Sequence, residues 1–481
     1  MGLSLASKFR SRPSFEELFP ARKLIMICVI IALLFWMFSG LRHSLLQSNA
    51  YDLGLFDQWI WLASRGLPQY SSMEGSHLLA DHGAWLLYIA AIPYCFNSSV
   101  QWLLASQAIA LSFTAIPIWC VGRQAGLPNK HCWLVCTLWW LQPVVLNVNL
   151  FDFHPEVWVM PALAASYWFC RSNRPWVWFV LLVVLLGARD GLVLVVGGIG
   201  FELALRRKWT WSCAAIGLSL MWLCFLNKFL YPLLTGSNTG PKAAAGLFSY
   251  LGDTLDEVIV NLVTNPSLVF ENLDWIGGFI YLVLISVSLS PFWRQSSLPV
   301  LLGGLPLVVV NLLSEESPQR TLIHHYSLPL AVIGVIAAID GIAVNRRKNI
   351  PFRSLVWSAL CWAVLSKPWF FTGPYLERLE VRQPFNQAML SIPTEGRLLT
   401  TSYFIPHLSH RKVVDFPRVG TKFKDYSAFD IFLLNPEDPG WGSSSQVQKD
   451  LLLKANEEGW LCKQWPVGIE LCEKVSINET N

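Results

Sequence analysis

Residues 24–40, "LIMICVIIALLFWMFSG", carry no charged side chain, and runs like this one recur along most of the chain. An apolar segment of that length is costly in water and comfortable in hydrocarbon, where about 20 helical residues cross about 30 Å. Charged residues make up only 14% of the 481 positions, against about 25% in soluble domains. The expected class is an all-α polytopic bundle with membrane lipid as its surroundings. The net charge of +4 is small and dispersed, which gives no footing for nucleic acid as a partner. The 24 Trp suit the interfacial belts of a bilayer.

Orientation follows from the basic residues. Arg10, Arg12, Arg22 and Lys23 precede the first run, so the positive-inside rule places the N-terminus in the cytoplasm. A cleaved signal peptide fits less well, because the run exceeds the usual apolar core of about 7 to 15 residues and no small-x-small site follows it. The stretch Gly83 to Phe96 is short for a span and contains Pro93. If it crossed, Arg123, Lys130, Arg171, Arg174 and the "RRK" at 206–208 would all fall outside. Lying in the interface, it leaves them inside, together with Arg294 and a second "RRK" at 346–348. Spans are then expected near 24–40, 100–122, 131–149, 156–170, 175–188, 191–205, 209–232, 275–291, 297–313, 326–345 and 352–366, about eleven in all.

This divides the chain into a transmembrane domain, 1–366, with a first outer loop at 41–99, and a C-terminal segment, 367–481. An odd number of spans places the latter outside. Its short mixed apolar runs, split by Pro, Gly and Asn, predict a small α/β domain. Nine of the eleven cysteines lie in or beside apolar runs, where Cys behaves as a small hydrophobe. Cys462 and Cys472 stand in a polar stretch and are expected to pair in an oxidising compartment.

With that orientation, ionisable groups gather on the outer side, where their desolvation makes them functional candidates. The first loop holds Asp52, Asp57, His77, Asp81 and His82. "FDFHPE" holds Asp152, His154 and Glu156, and "ARDG" holds Arg189 and Asp190. "SEESPQRTLIHHYS" adds Arg320, His324, His325 and Tyr326. Each has a structural alternative. Asp52 could cap a helix starting at Leu53. Asp57 lies five residues on, about 140° around a helix, which disfavours a tight dyad. Asp152, His154 and Glu156, at alternate positions, could turn three ligands toward a divalent metal ion. Alternatively, Pro155 starts a helix with Glu156 at its positive end. Arg189 and Asp190 could neutralise each other. Arg320, beside two histidines, has the guanidinium that best fits a phosphate.

The segments "YDLGLFDQ", "DHG", "FDFHPE", "RDG" and "HHYSLPL" are similar to those of a bacterial family of predicted polytopic membrane proteins placed within the GT-C superfamily of membrane glycosyltransferases. The first span followed by an acidic outer loop and interfacial helices also resembles the opening of GT-C enzymes. The resemblance implies a transferase of the bacterial inner membrane. It would move a sugar from a polyprenyl-phosphate donor to an envelope glycan, lipid or protein acceptor on the outer face. Asp52 takes the place of the first-loop catalytic acid. Leu53 follows it where an adjacent acidic pair is usual, so the choice between Asp52 and Asp57, and the metal requirement, stay open. Substrate contacts are expected from Arg320, Arg189, Asp190, His82, His324, His325 and Tyr326. A proton-coupled transporter would need charges in mid-span, yet Lys228 and Asp340 lie toward span ends and no inverted repeat is visible. A non-catalytic envelope-binding scaffold would leave Asp52 dispensable.

Overall fold

A computed structural model describes residues 22–236, 246–344, 351–368, 376–420 and 426–474. Arg10, Arg12 and the basic cluster at 346–348 lie outside the described residues. The first apolar run forms one helix, Arg22–Ser44. Met26, Leu33 and Met37 are exposed on one of its faces while Leu24, Cys28 and Phe35 pack inward, the division expected of a helix with lipid on one side and protein on the other.

Every expected span is helical, but few are long. Among the described residues, four helices are long and apolar enough to cross a membrane: Arg22–Ser44, Gln101–Gln124, Trp209–Thr235 and His325–Val344. Three bent pairs raise the number to seven if each is one span. These are Asn129–Trp140 with Pro143–Leu150, Pro266–Asn272 with Trp275–Ser286, and Gln295–Gly303 with Leu305–Leu313, bent by 45°, 83° and 56°. By length and apolar composition, four to seven of the expected spans are long enough to cross on their own. The other four expected spans, 156–170, 175–188, 191–205 and 352–366, form apolar helices of only 12 to 14 residues. Leu87–Phe96 has only ten residues, half of what a crossing needs.

Three helices set the position of the site. Met160–Arg171, Val193–Leu205 and Leu328–Val344 are each entered through a short 3₁₀ turn: Pro155–Val159, Asp190–Leu192 and His325–Ser327. Their far ends are joined by charge. Arg171 donates to both oxygens of Asp340 at 2.7 and 3.1 Å, and Arg206 donates to Asp340 at 2.8 Å and to Glu202 at 2.8 Å. The loop after Arg294 reaches the same place, where Ser296 donates to the Asp340 carbonyl. Basic residues from three loops therefore share one end of the bundle, as the charge bias requires. The entry turns lie at the other end, about 24 Å away at 1.5 Å per helical residue.

The C-terminal segment forms a five-stranded sheet of β1 (Leu398–Thr400), β2 (Val414–Asp415), β3 (Ile431–Leu434), β4 (Leu461–Gln464) and β5 (Glu470–Glu473), in the order β2-β1-β3-β5-β4. The first three strands are parallel and the last two antiparallel. Alternation along the strands gives the sheet two apolar faces. Leu399, Phe432, Leu434 and Cys472 pack with Leu451 and Leu452 of the helix Ser445–Glu457. Leu398, Ile431, Leu433 and Leu471 share a core with Leu53, Phe56 and Trp59 of the first loop. Cys462 and Cys472 face each other across β4 and β5 and form the expected disulfide.

Candidate functional site

The site is built around the turn that carries Asp52. Ala50–Gly54 is one turn of π-helix leading into the helix Leu55–Ser64, a geometry that recurs at functional sites. Its cap is Asn49, whose side-chain oxygen accepts from the Ala50 N–H at 2.7 Å. The capping role considered for Asp52 is therefore filled by another residue, and the Asp52 side chain, 27% exposed, is left free to face outward. Gly54 is needed here because a Cβ would come within 2.7 Å of Ile405 in the C-terminal segment.

Asp52 opens onto a cavity of about 230 Å³. On the Asp52 side it is bounded by Tyr51, Leu55 and Phe56, with Glu74, Asp81 and His82 from later in the same loop. Across from these stand His154, Arg189, His325 and Tyr326, which sit in or just before the three 3₁₀ entry turns. Three helix N-termini thus converge on the cavity, a favourable setting for an anion.

The polar contacts form two linked sets. Arg189 donates to Glu156 in a very short contact, and His325 Nε2 lies 2.5 Å from the same guanidinium nitrogen and 3.1 Å from Glu156 Oε1. The guanidinium also sits 5.5 Å from the Tyr326 ring centre, and the His154 and His325 rings are 4.1 Å apart. Burial opposes the charge on Arg189, but Glu156, Tyr326 and Asp190 more than restore it and its pKa is raised. In the second set, His82 lies 3.2 Å from Asp81 and 3.6 Å from Asp190, and the Tyr231 hydroxyl donates to Asp190 at 3.0 Å. Burial and Arg189 act against a charge on His82, yet Asp81 and Asp190 outweigh them and raise its pKa. Burial would raise the Asp190 carboxyl, but His82, Arg189 and Tyr231 bring it below its usual range.

Several cavity groups are buried without a partner. Neither ring nitrogen of His154 makes a hydrogen bond, its Nε2 lying 3.4 Å from Asp52 Oδ1, and Glu156 Oε2 and His325 Nδ1 are equally unpartnered. Unsatisfied buried polar atoms are rare in folded proteins, and four of them gather here around one cavity.

Residues 42–471 match the family model described as "Predicted membrane protein (DUF2079)". The chain belongs to that family. Among solved structures it is similar to ArnT from Cupriavidus metallidurans, crystallised with undecaprenyl phosphate bound. The TM-score is 0.50 and the identity 10%, over 95% of this chain and 99% of that one. This DUF2079 member therefore has a membrane fold like that of the ArnT structure. No curated protein matches the chain.

Of the residues expected at the site of this DUF2079 protein, Asp52, His82, Arg189, His325 and Tyr326 line the cavity. Asp190 and Glu156 stand behind them, as partners of His82 and Arg189. His324 sits outside, with its Nδ1 2.9 Å from the Thr321 hydroxyl. Arg189 and Asp190 are turned to different direct partners, Glu156 and His82, while each still favours the other's charge.

Three expectations are corrected. Asp57, 1% exposed, is turned from the cavity. It accepts from the Tyr94 hydroxyl at 2.5 Å and from Ser409, and it lies 2.9 Å from His410, so it ties the first loop to the C-terminal segment. Arg320 is committed to the Ser314 carbonyl and to Asp274 at 3.3 Å, away from the cavity. The triad of "FDFHPE" is dispersed. Asp152 pairs with Arg42 and accepts from the Asn49 N–H at 2.8 Å, while His154 faces Asp52 and Glu156 faces Arg189. Among the described residues no group of three such ligands could hold a metal ion. Asp152 itself has φ of +60°, which sets it in the left-handed region.

Tyr51, Glu74 and Arg42 were missed. Glu74 stands alone in "SSMEGSH" with no motif around it. Arg42, a buried cation at the end of the first span opposite the basic cluster, is the one with a readable signal.

Proposed function

We propose that this protein is a membrane glycosyltransferase that moves a sugar from a polyprenyl-phosphate donor to an acceptor hydroxyl. The carrying observation is that Asp52 and Arg189 line a single cavity at the converging N-termini of three helices, within a GT-C-like fold. Asp52 takes the proton of the acceptor hydroxyl as its oxygen bonds to the anomeric carbon. The bond from that carbon to the phosphate oxygen breaks, and the charge left on the phosphate is held by Arg189, the histidines and the helix ends. The undecaprenyl phosphate bound to the similar ArnT structure supports a lipid phosphate of this kind as the leaving group. No metal enters this scheme, since Asp152, His154 and Glu156 do not form a ligand set. The cavity lies opposite the Arg171 and Arg206 end, which supports an outward-facing site in a bacterial inner membrane, with the N-terminus cytoplasmic and the C-terminal segment outside.

The test uses full-length protein in mild detergent. Asp52→Asn should cut transfer from a polyprenyl-phosphate sugar by at least about a hundredfold without loss of fold. Arg189→Lys keeps the charge facing Glu156 but loses the fork, and should weaken undecaprenyl phosphate binding in native mass spectra. Wild-type turnover in Asp52→Asn would refute the assignment of the base.

A further inference from the structure

The C-terminal sheet meets the cavity along an aromatic edge. In the order β2-β1-β3 the chain leaves β1 toward one neighbour and returns on its other side. Loops leaving the carboxyl ends of such parallel strands part and open a crevice. Trp441 sits in the loop that follows β3, between Gly440 and Gly442 at φ +71° and +76°. That loop is fastened to the one following β2: the Val419 N–H donates to the Gly442 carbonyl at 2.9 Å, and a Cβ on Gly442 would stand 3.1 Å from Phe416.

These two loops reach the Asp52 turn. The Trp441 ring lies 5.3 Å from Tyr51 and 5.8 Å from Phe416, and Tyr51 lies 5.4 Å from Phe416. Arg418 stacks over Phe416 at 4.4 Å and donates to Asp415 at 2.9 Å and to the Met73 carbonyl at 3.0 Å, so the cluster is held from below. Trp441 is nevertheless 56% exposed. Tyr51 belongs both to this cluster and to the cavity wall, and the next residue is Asp52.

We propose that Tyr51 and Trp441 form the acceptor subsite, in which a pyranose ring of a glycan stacks on the Trp441 indole while Tyr51, at 85° to that plane, forms a side wall. This rests on the transferase reading and narrows its acceptor. The C–H face of a pyranose is apolar and flat enough to lie on an indole, and its rim of hydroxyls needs polar partners. A ring seated on Trp441 and against Tyr51 would have Glu74 and Arg418 beside it and would bring a hydroxyl to Asp52. The surrounding charges of Asp415, Arg418 and Glu74 suit a sugar and disfavour lipid tails, although an exposed Trp can also mark a membrane interface.

Full-length protein labelled with 5-fluorotryptophan, held in lipid nanodiscs, gives the test by ¹⁹F NMR. Trp441→Phe assigns the Trp441 signal. The methyl glycosides of glucose, galactose and N-acetylglucosamine are titrated, with glycerol as control. The expected result is a saturable shift of that signal with at least one glycoside, with a dissociation constant on the order of millimolar. The shift should vanish in Tyr51→Ala while the other tryptophan signals hold their positions, and it should persist in Asp52→Asn. A Trp441 signal indifferent to all three glycosides, or one that moves only with lipid composition, overturns the proposal. A glycoside shift accompanied by wild-type turnover in Asp52→Asn would instead sink the assignment of the base and leave the subsite standing.

Discussion

The two ends of the bundle use the same ingredients differently. At one end Arg171 and Arg206 converge on Asp340 and Glu202, and both carboxylates are engaged by guanidinium groups. At the other, one nitrogen of Arg189 is shared between Glu156 and His325, while Glu156 Oε2, His325 Nδ1 and both nitrogens of His154 make no hydrogen bond beside about 230 Å³ of space. A network whose charged groups are paired fixes helices, whereas one that leaves charged and imidazole groups unpaired beside a cavity is costly unless a ligand completes it. The contrast separates a fastening from a site more clearly than residue type does, because arginines and carboxylates are abundant at both.

The comparison breaks if the fastening proves catalytic. Asp340→Ala leaves two guanidinium groups without their shared carboxylate. It should destabilise the protein by about 3 kcal/mol, toward the low end for a broken buried pair because all three side chains retain some exposure. Thermal unfolding in detergent measures this. Transfer per folded molecule should stay within about twofold, since sites this far apart act independently. A hundredfold loss of turnover in a well-folded Asp340→Ala protein would mean that the far end works in the reaction.

Next in size is the disulfide, which fastens the two antiparallel strands at the edge of the sheet. Closing a loop of about ten residues is worth up to about 3 kcal/mol by chain entropy. The Cys462→Ser variant should unfold at lower temperature, and the wild type in reductant should match it. Equal melting with and without reductant would show that the bridge does not form in the purified protein.

Much of the fold follows from local pattern. The apolar runs became helices, and Arg171, Arg206 and the loop after Arg294 meet at one end, the pattern that a preference for cations on one side of a bilayer would give. The helix lengths were less legible, since hydrophobicity alone does not show that the runs at 156–170 and 191–205 open on 3₁₀ turns. The same division holds for the site. Asp52 could be read because a motif surrounds it. The fate of Asp57 depends on Ser409 and His410, more than 350 positions away, and that of Arg320 on Asp274. No spacing rule within "YDLGLFDQ" could distinguish the acid facing a cavity from the acid locked in a junction. The three ligands of "FDFHPE" scatter because Asp152 takes a left-handed backbone conformation, which breaks the alternation that an extended strand would keep.

The smallest expected effect sharpens the comparison from the cavity side. His82 is held between Asp81 and Asp190, and its pKa is raised. A raised histidine adds stability that is complete below the unfolded value of about 6.5 and is lost as pH climbs through the higher folded value. Asp190, whose pKa is lowered, adds stability that is present above about 3.9 and lost as pH falls through its folded value. The pair therefore stabilises most between about pH 4 and 6.5. His82→Gln should lower the melting temperature in that window and matter progressively less as the pH is raised. This dependence on an imidazole distinguishes the cavity from the far end, where the Asp340 cluster contains no histidine. A His82→Gln deficit that grew with rising pH would reverse the sign. It would show that His82 is neutral in the folded protein, and that Asp190 is held by Tyr231 and Arg189 alone.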